Sequence, residues 1–271
     1  MQIVRQLPHP ALLPYVRCYW ALQDEVAPGE VHSLSFGCTG RTHWVIFLGP
    51  VFSTTVDGGD PLTNHDSMFV GQMLRPFTHH LTATTQTLTI DFTPTGFYHL
   101  WSLPAHELTG QTADTHVVMG PEADDLVDQL RNTPFGAGRF ALLDQFLLRR
   151  IRYNLTTDNR IEAAVEQIQR QPGHLQIRQL AHQLNCPERT LSRRFTETVG
   201  LSPKTYARVQ RFLQTRYWLE QRPSPQRRDR LTQIGYYDQA HLINEFRYFT
   251  GKTPSLYGAD GQPALDRLRE S

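Results

Sequence analysis

Residues 177–211 read IRQLAHQLNCPERTLSRRFTETVGLSPKTYARVQR, and the order of residue types in this stretch decides the C-terminal architecture. Ile177, Leu180, Ala181 and Leu184 recur at the spacing of one buried helix face. A short turn around Asn185 follows, and RTLSRRF opens a second helix in which Leu191 and Phe195, four apart, share one side. Gly200 stands where that helix can end, and Ser202-Pro203 where the next can start. Pro187 occupies the position where a Ser or Thr cap is common; it cannot cap through a side chain, but proline suits the first turn. Helix, turn, helix, bracing helix is a helix-turn-helix pattern. The chain then repeats it: Leu191, Phe195, Gly200, Pro203 and Tyr206 return as Leu242, Phe246, Gly251, Pro254 and Tyr257, each 51 residues on. Five identities in one register are hard to attribute to chance.

Toward the N-terminus the period of the sequence changes. WVIFL (44–48), SMFVG (67–71) and TLTIDF (87–92) are rich in β-branched and aromatic residues and are separated by turn clusters such as DGGDP (57–61) and TPTG (93–96). In TLTIDF, Leu88, Ile90 and Phe92 alternate with Thr89 and Asp91, the period of a strand with one buried face. From Glu122 the period is helical: Leu126, Val127 and Leu130 form one apolar face, and Phe140, Leu143, Phe146, Leu147 and Ile151 a second. The expected fold is α+β: an N-terminal antiparallel β-sandwich or barrel, cupin-like and closed by helices, followed by an all-α domain. The boundaries fall at 1–152 for the β-rich domain, 153–160 for a linker with Thr157 or Asp158 as a helix cap, 161–258 for the helical domain and 259–271 for a tail.

Composition is that of an ordinary globular chain of 271 residues, 39% hydrophobic and 20% charged, which excludes extended disorder. No run of roughly 18 apolar residues is present and the start MQIVRQLPHP lacks the basic and apolar regions of a signal peptide, so a soluble, cytoplasmic protein without membrane attachment is expected. Cys18, Cys38 and Cys186 are odd in number and widely spaced, which argues against a disulfide framework or a zinc ribbon. The net charge of +1 hides an asymmetry: residues 1–150 carry 8 basic and 14 acidic side chains, residues 151–271 carry 19 and 12. Only Lys204 and Lys252 among the 27 cations are lysines. A basic half made almost wholly of guanidinium groups suits phosphate and guanine.

The runs 177–211 and GYYDQAHLINEFRYFTGKTPSLY (235–257), with the connecting helix YARVQRFLQTRYWLEQ, resemble the C-terminal DNA-binding domain of AraC/XylS-type transcriptional regulators. The opening PHPALLPYVRCYW, FVGQM and FTPTGFYHLW are similar to the sensor domains that precede this module in a subgroup of the family. The resemblance implies a cytoplasmic transcription regulator whose two second helices enter successive major grooves of double-stranded DNA, about 34 Å apart. It places base reading on Arg189, Ser192 and Arg193 of the first copy, with Thr196 also outward and Arg193 the strongest single candidate. In the second copy the outward set is Gln239, His241, Ile243, Asn244 and Arg247. Lys204, Arg208 and Arg211, with Arg194, fall to phosphate or structural roles. Asn244 stands at the counterpart of Arg193, and RPSPQRRDRLTQIG (222–235), with only Leu231 and Ile234 apolar, reads as a short or distorted helix. The first copy is therefore expected to dominate affinity, with Asn or Gln in the second reading adenine. Partners implied by the family are a small-molecule effector, RNA polymerase and a second copy of the chain.

Signatures of catalysis are missing: there is no Gly-rich phosphate loop, no GxSxG and no HExxH. His79 and His80, adjacent on a strand, point to opposite faces. His43, His65, His99 and Glu107 would need the fold to gather them. The expectation is no enzyme, no cofactor and no metal. For an effector pocket Trp44, Phe47, Phe69 and Phe92, with Trp20, offer an apolar lining and Arg41 or Arg75 a polar anchor, the alternative for each aromatic being ordinary core. The helix 140–151 serves either a dimer interface or packing on its own sheet. The rival to a regulator is a small-molecule-binding or enzymatic β-domain carrying a degraded, non-specific helix-turn-helix module.

Overall fold

Two antiparallel sheets build the N-terminal domain. In the computed structural model the described residues are 2–50, 53–56, 65–151, 159–173, 176–220 and 235–257. The six-stranded sheet runs β1 (Gln2–Gln6), β2 (Val16–Asp24), β8 (Thr85–Phe92), β4 (His43–Phe47), β6 (Ser67–Val70), β9 (Thr112–Asp114), and the three-stranded sheet runs β3 (His32–Phe36), β7 (Phe77–Leu81), β5 (Ser53–Val56). The expected sandwich is thus present, and it is closed by α1 (Gly96–Trp101), α2 (Thr115–Met119), α3 (Pro121–Arg131) and α4 (Ala137–Arg150).

The larger sheet is covered on both sides. On β4, Trp44 and Ile46 point toward the helices and join Phe69, Leu88, Ile90 and Phe92 in one core with Leu126, Leu130, Phe140, Leu143, Phe146 and Leu147. Val45 and Phe47, one residue out of phase, point toward the smaller sheet and pack with Phe36, Phe77 and Leu81. The single buried face expected for 87–92 is therefore corrected: Leu88, Ile90 and Phe92 meet the helices, while Thr87 and Thr89 look into the space between the sheets. The apolar face of α4, with Phe140, Leu143, Phe146 and Leu147, packs on its own sheet.

The C-terminal domain consists of α5 (Asn159–Arg170), α6 (Ile177–Gln183), α7 (Glu188–Val199), α8 (Pro203–Glu220), α9 (Gln239–Thr250) and α10 (Pro254–Tyr257). Leu191 and Phe195 of α7 and Phe246 of α9 are fully buried in one core with Ile161, Leu180, Tyr206 and Phe212. Leu242 packs beside it with Tyr236 and Trp218. Both helices stop at the expected glycines, Gly200 and Gly251, at φ 91° and 71°. Asn185, in the turn before α7, also has positive φ, at 47°. The turn at 57–61, the caps Thr157 and Asp158, most of the helix read at 222–235 and the tail at 259–271 lie outside the described residues.

The two domains meet on the end of α7. The side-chain amide of the buried Gln72 donates to the carbonyl of Val199, and the Thr109 hydroxyl donates to the carbonyl of Gly200 at 2.6 Å. A Cβ on Gly200 would lie 3.1 Å from the Ala105 carbonyl oxygen, so glycine is what allows this approach. Cys38 is buried in the core of the C-terminal domain and Arg75 lies 4.4 Å above the ring of Tyr248. His99 of α1 pairs through Nε2 with Glu162 of α5 at 2.7 Å. Among the described residues no helix is long and apolar enough to cross a membrane.

Candidate nucleic-acid interface

Helix α7 exposes the side that its apolar stripe leaves free. With Leu191 and Phe195 inward, Arg189, Arg193 and Arg194 are exposed and Ser192 and Thr196 half-buried. The Arg193 side chain is 67% exposed and its nearest carboxylate, Glu197, is 3.6 Å away. An exposed i,i+4 pair of that kind is worth a few tenths of a kcal/mol, so the guanidinium can leave it for a stronger acceptor. The Thr196 hydroxyl donates to the Ser192 carbonyl at 2.8 Å, which turns it back onto its own helix. Pro187 makes no side-chain cap to α7, whereas α9 is capped by Asp238, whose carboxylate accepts from the His241 amide at 2.7 Å.

On α9, Gln239, Asn244 and Arg247 are exposed and His241 and Ile243 half-buried. A cleft of about 640 Å³ runs between the two helical units, lined by Gln176 and Ile177 at the start of α6, by Lys204, Ala207 and Arg208 of α8, and by Tyr237 and His241 of the second unit. The structure thus brings Lys204, Arg208 and His241 together.

Arg211 belongs to the floor of that cleft and not to its open surface. Its Nε and Nη2 donate to the two carboxylate oxygens of Glu245 at 2.9 and 2.6 Å, its Nη1 donates to the Gly235 carbonyl at 3.1 Å, and it lies 4.8 Å over the ring of Tyr236. Burial pulls this guanidinium below its ordinary pKa, and the hydrogen-bonded Glu245 carboxylate outweighs that and raises it. Of the two roles expected for Arg211, the structural one is realised, because a bidentate pair in the core leaves no donor fork for phosphate. Arg208 shares Glu245 at 3.1 Å through Nε but stays partly exposed. The sequence reading missed Glu245. Its signal was present: 242, 245, 246 and 249 form one i, i+3, i+4, i+7 stripe, and a carboxylate on it demands a buried cation.

The aromatic set read as an effector pocket is corrected. Trp44, Phe69 and Phe92 are core under the helices, on the wrong side of the sheet, and the Trp44 indole N–H is taken by Ser67 at 2.7 Å. The space between the sheets is instead lined by Trp20, Phe36, Phe47, Phe77, His43 and His79, and is a cavity of about 50 Å³. Of the seven expected residues, Trp20 and Phe47 line it. Arg41 is half-buried and Arg75 lies on Tyr248 at the domain junction, so neither lines the cavity. Beside it His43 bridges Asp91 at 2.6 Å and Thr39 at 2.7 Å, and the Trp20 indole donates to Asp91 at 3.1 Å. His79 meets Thr54 at 2.7 Å, and the Thr85 hydroxyl is buried without a partner among the described residues. The four groups asked to converge do not: His43 serves Asp91, His65 lies 3.0 Å from Asp114, His99 pairs with Glu162, and Glu107 is exposed.

The helix-turn-helix of α6 and α7, with α9 of the second copy on the same core and arginines exposed on their free side, has the form of a DNA-binding module of the helix-turn-helix class. Residues 180–259 match the model of a helix-turn-helix domain, and residues 4–114 match that of a domain of unknown function, DUF6597. Among solved structures the chain is similar to unsaturated fatty acid bound wild-type ToxT from Vibrio cholerae strain SCE256, at 9% identity over 89% of this chain and 94% of that one, with a TM-score of 0.45. The DNA-binding domain of AdpA in complex with a target DNA is 24% identical over 41% of this chain and 94% of that one, with a TM-score of 0.32. The AraC-like transcriptional activator CuxR is 15% identical over 78% and 86%, with a TM-score of 0.28. The comparison with curated proteins gave no match. The helix-turn-helix match over residues 180–259 bears out the resemblance of the C-terminal module to the AraC type.

Proposed function

We propose that the protein reads one duplex site with both helical units, α7 and α9 entering successive major grooves, and that its N-terminal domain sets how often the site is occupied. Arg193, with Arg189 and Ser192, reads bases in the first groove; arginine suits guanine O6 and N7. Gln239 and Asn244 read adenine in the second, and Lys204 and Arg208 hold the phosphates between them. The observation that carries this reading is the shared cleft, whose lining includes α8 cations and residues of both units. A duplex engaging both units has to cross it.

Control would pass through the grip on α7. Gln72 and Thr109 hold its last carbonyls, so any change in the N-terminal domain that moves them moves a recognition helix. A small-molecule effector would enter between the sheets, where the Thr85 hydroxyl, without a partner among the described residues, offers a polar contact. Since drug-sized ligands need roughly 300 Å³ or more, the sheets would have to part, and that displacement is the signal. An effector can shift occupancy by no more than its differential affinity for the two arrangements. Cytoplasmic location, contact with RNA polymerase and pairing of two chains on adjacent sites complete the reading and rest on the family resemblance.

The test is Arg193→Ala beside Asn244→Ala on a selected operator. The first should lose about 5- to 150-fold in affinity, as expected for one bidentate base contact of roughly 1 to 3 kcal/mol, and the second less. Full binding by Arg193→Ala with loss in Asn244→Ala would invert the assignment.

A further inference from the structure

In the cleft between the two helical units one aromatic ring has no packing role. Tyr236 and Tyr237 are adjacent and opposed. Tyr236 is buried, its phenol oxygen accepts from Thr215 at 3.2 Å, and Arg211 covers its ring. Tyr237 is 93% exposed. Its ring lies parallel to the His241 imidazole, with centroids 5.6 Å apart and planes 22° from each other. That imidazole is itself held, with Nε2 3.3 Å from the buried Arg211 guanidinium and the ring edge-on to Tyr236 at 5.3 Å. Tyr237 therefore stands almost wholly in water, with a held ring set parallel beside it.

Apolar surface left in water gives no stability, and this ring shares its cleft with Lys204 and Arg208. The neighbouring carboxylate, Asp238, is turned to the amides at the start of α9, which it caps. A flat apolar face and a hydroxyl donor in one cleft with two cations match the chemistry of a deoxyribose and its phosphate. We infer that Tyr237, beside His241, is a contact to the sugar–phosphate backbone of the duplex between its two major-groove turns, the ring packing on a sugar and the hydroxyl donating to a phosphate oxygen. The inference deepens the DNA-binding reading and rests on it. Such a contact carries no base information and adds no charge, which sets it apart from the arginines and from Lys204.

The experiment compares full-length wild type, Tyr237→Ala, Tyr237→Phe and Lys204→Ala on the selected operator and on an unrelated duplex, across a salt series. Wild type must first show salt-dependent binding; its absence overturns the DNA reading and this contact with it. Tyr237→Phe should weaken operator and unrelated DNA alike by about tenfold, the loss of one hydrogen bond to a charged group, and Tyr237→Ala by more, because the ring's packing on the sugar is lost as well. The slope of log affinity against log salt should stay at its wild-type value in both tyrosine variants and fall by about 0.9 in Lys204→Ala. Because the ring is exposed, unchanged melting of Tyr237→Ala is expected. Binding by Tyr237→Ala within twofold of a competent wild type would remove the contact, and a loss confined to the operator would overturn its backbone assignment.

Discussion

Removing the Glu245 carboxylate should release α9 from α8 without unfolding the β-domain. Glu245 and Arg211 are both within the core, joined by bonds of 2.6 and 2.9 Å, whereas the Arg208 side chain is 40% exposed. Solvent screening holds the Arg208 share to about 1 kcal/mol or less. Stranding the Arg211 guanidinium is the larger effect, about 3 to 5 kcal/mol for breaking a buried pair from one side. Glu245→Ala should therefore speed hydrogen exchange of the α9 amides, Gln239–Thr250, by about a hundred- to a few-thousand-fold. Arg208→Ala should move the same amides less than tenfold. Replacing both buried partners, Arg211→Met with Glu245→Leu, should recover much of the loss, since two apolar groups need no pairing. Amide exchange mapped by fragment reads all three. Equal effects from Arg208→Ala and Glu245→Ala, or an unchanged α9 in Glu245→Ala, would refute the reasoning.

The grip on α7 gives two further expectations. Gln72→Leu and Thr109→Val should each leave a carbonyl at the end of α7 without its donor, at about 1 to 3 kcal/mol, and exchange mapping should find α7 loosened while β4 and β8 are unchanged. Gly200→Ala should lower the melting temperature by several degrees and Gly110→Ala by less: both sit at positive φ, but only at Gly200 does a Cβ meet neighbouring backbone, at 3.1 Å. Equal shifts would mean that the domain contact is not close. In alkali, burial raises Tyr19, Tyr206 and Tyr236 above the ordinary tyrosine value of 10.0, with Asp144 reinforcing the shift at Tyr19. The folded state thus holds these protons more tightly, so their contribution is complete below about pH 10 and is lost as pH climbs through the raised values. Melting temperature should fall from about pH 10 upward, less steeply in Tyr19→Phe, and a flat profile would contradict the burial of these phenols.

The parts of this fold that were legible in the sequence were those fixed by local rules. The 51-residue repeat located α7 and α9, because Leu191 with Phe195 and Leu242 with Phe246 have to share a face and because Gly200 and Gly251 have to take positive φ. The strands around 44–48, 67–71 and 87–92 were legible from their β-branched and aromatic content. Which way their side chains point was not. His43–Phe47 is buried along its whole length, with helices on one side and a second sheet on the other, so alternation has no polar phase to mark and Trp44 could not be told from Phe47. That ambiguity alone misplaced the aromatic pocket. Gln72, Thr109 and His99 were illegible for another reason: each is satisfied by a residue in the other domain, and no sequence period relates the two. Arg211 was read by its charge, when Glu245, 34 residues away, had already claimed it.

The central claim, that two helical units read one duplex site, is tested most directly by selecting bound sequences from random duplex DNA with the purified full-length protein at two salt concentrations. The account predicts an enriched site with two blocks centred about one helical turn apart, the block facing α7 the stronger, and log affinity falling by about 0.9 per neutralised phosphate against log salt. Salt-sensitive binding that enriches no sequence would contradict it, leaving a basic module that recognises charge without reading bases.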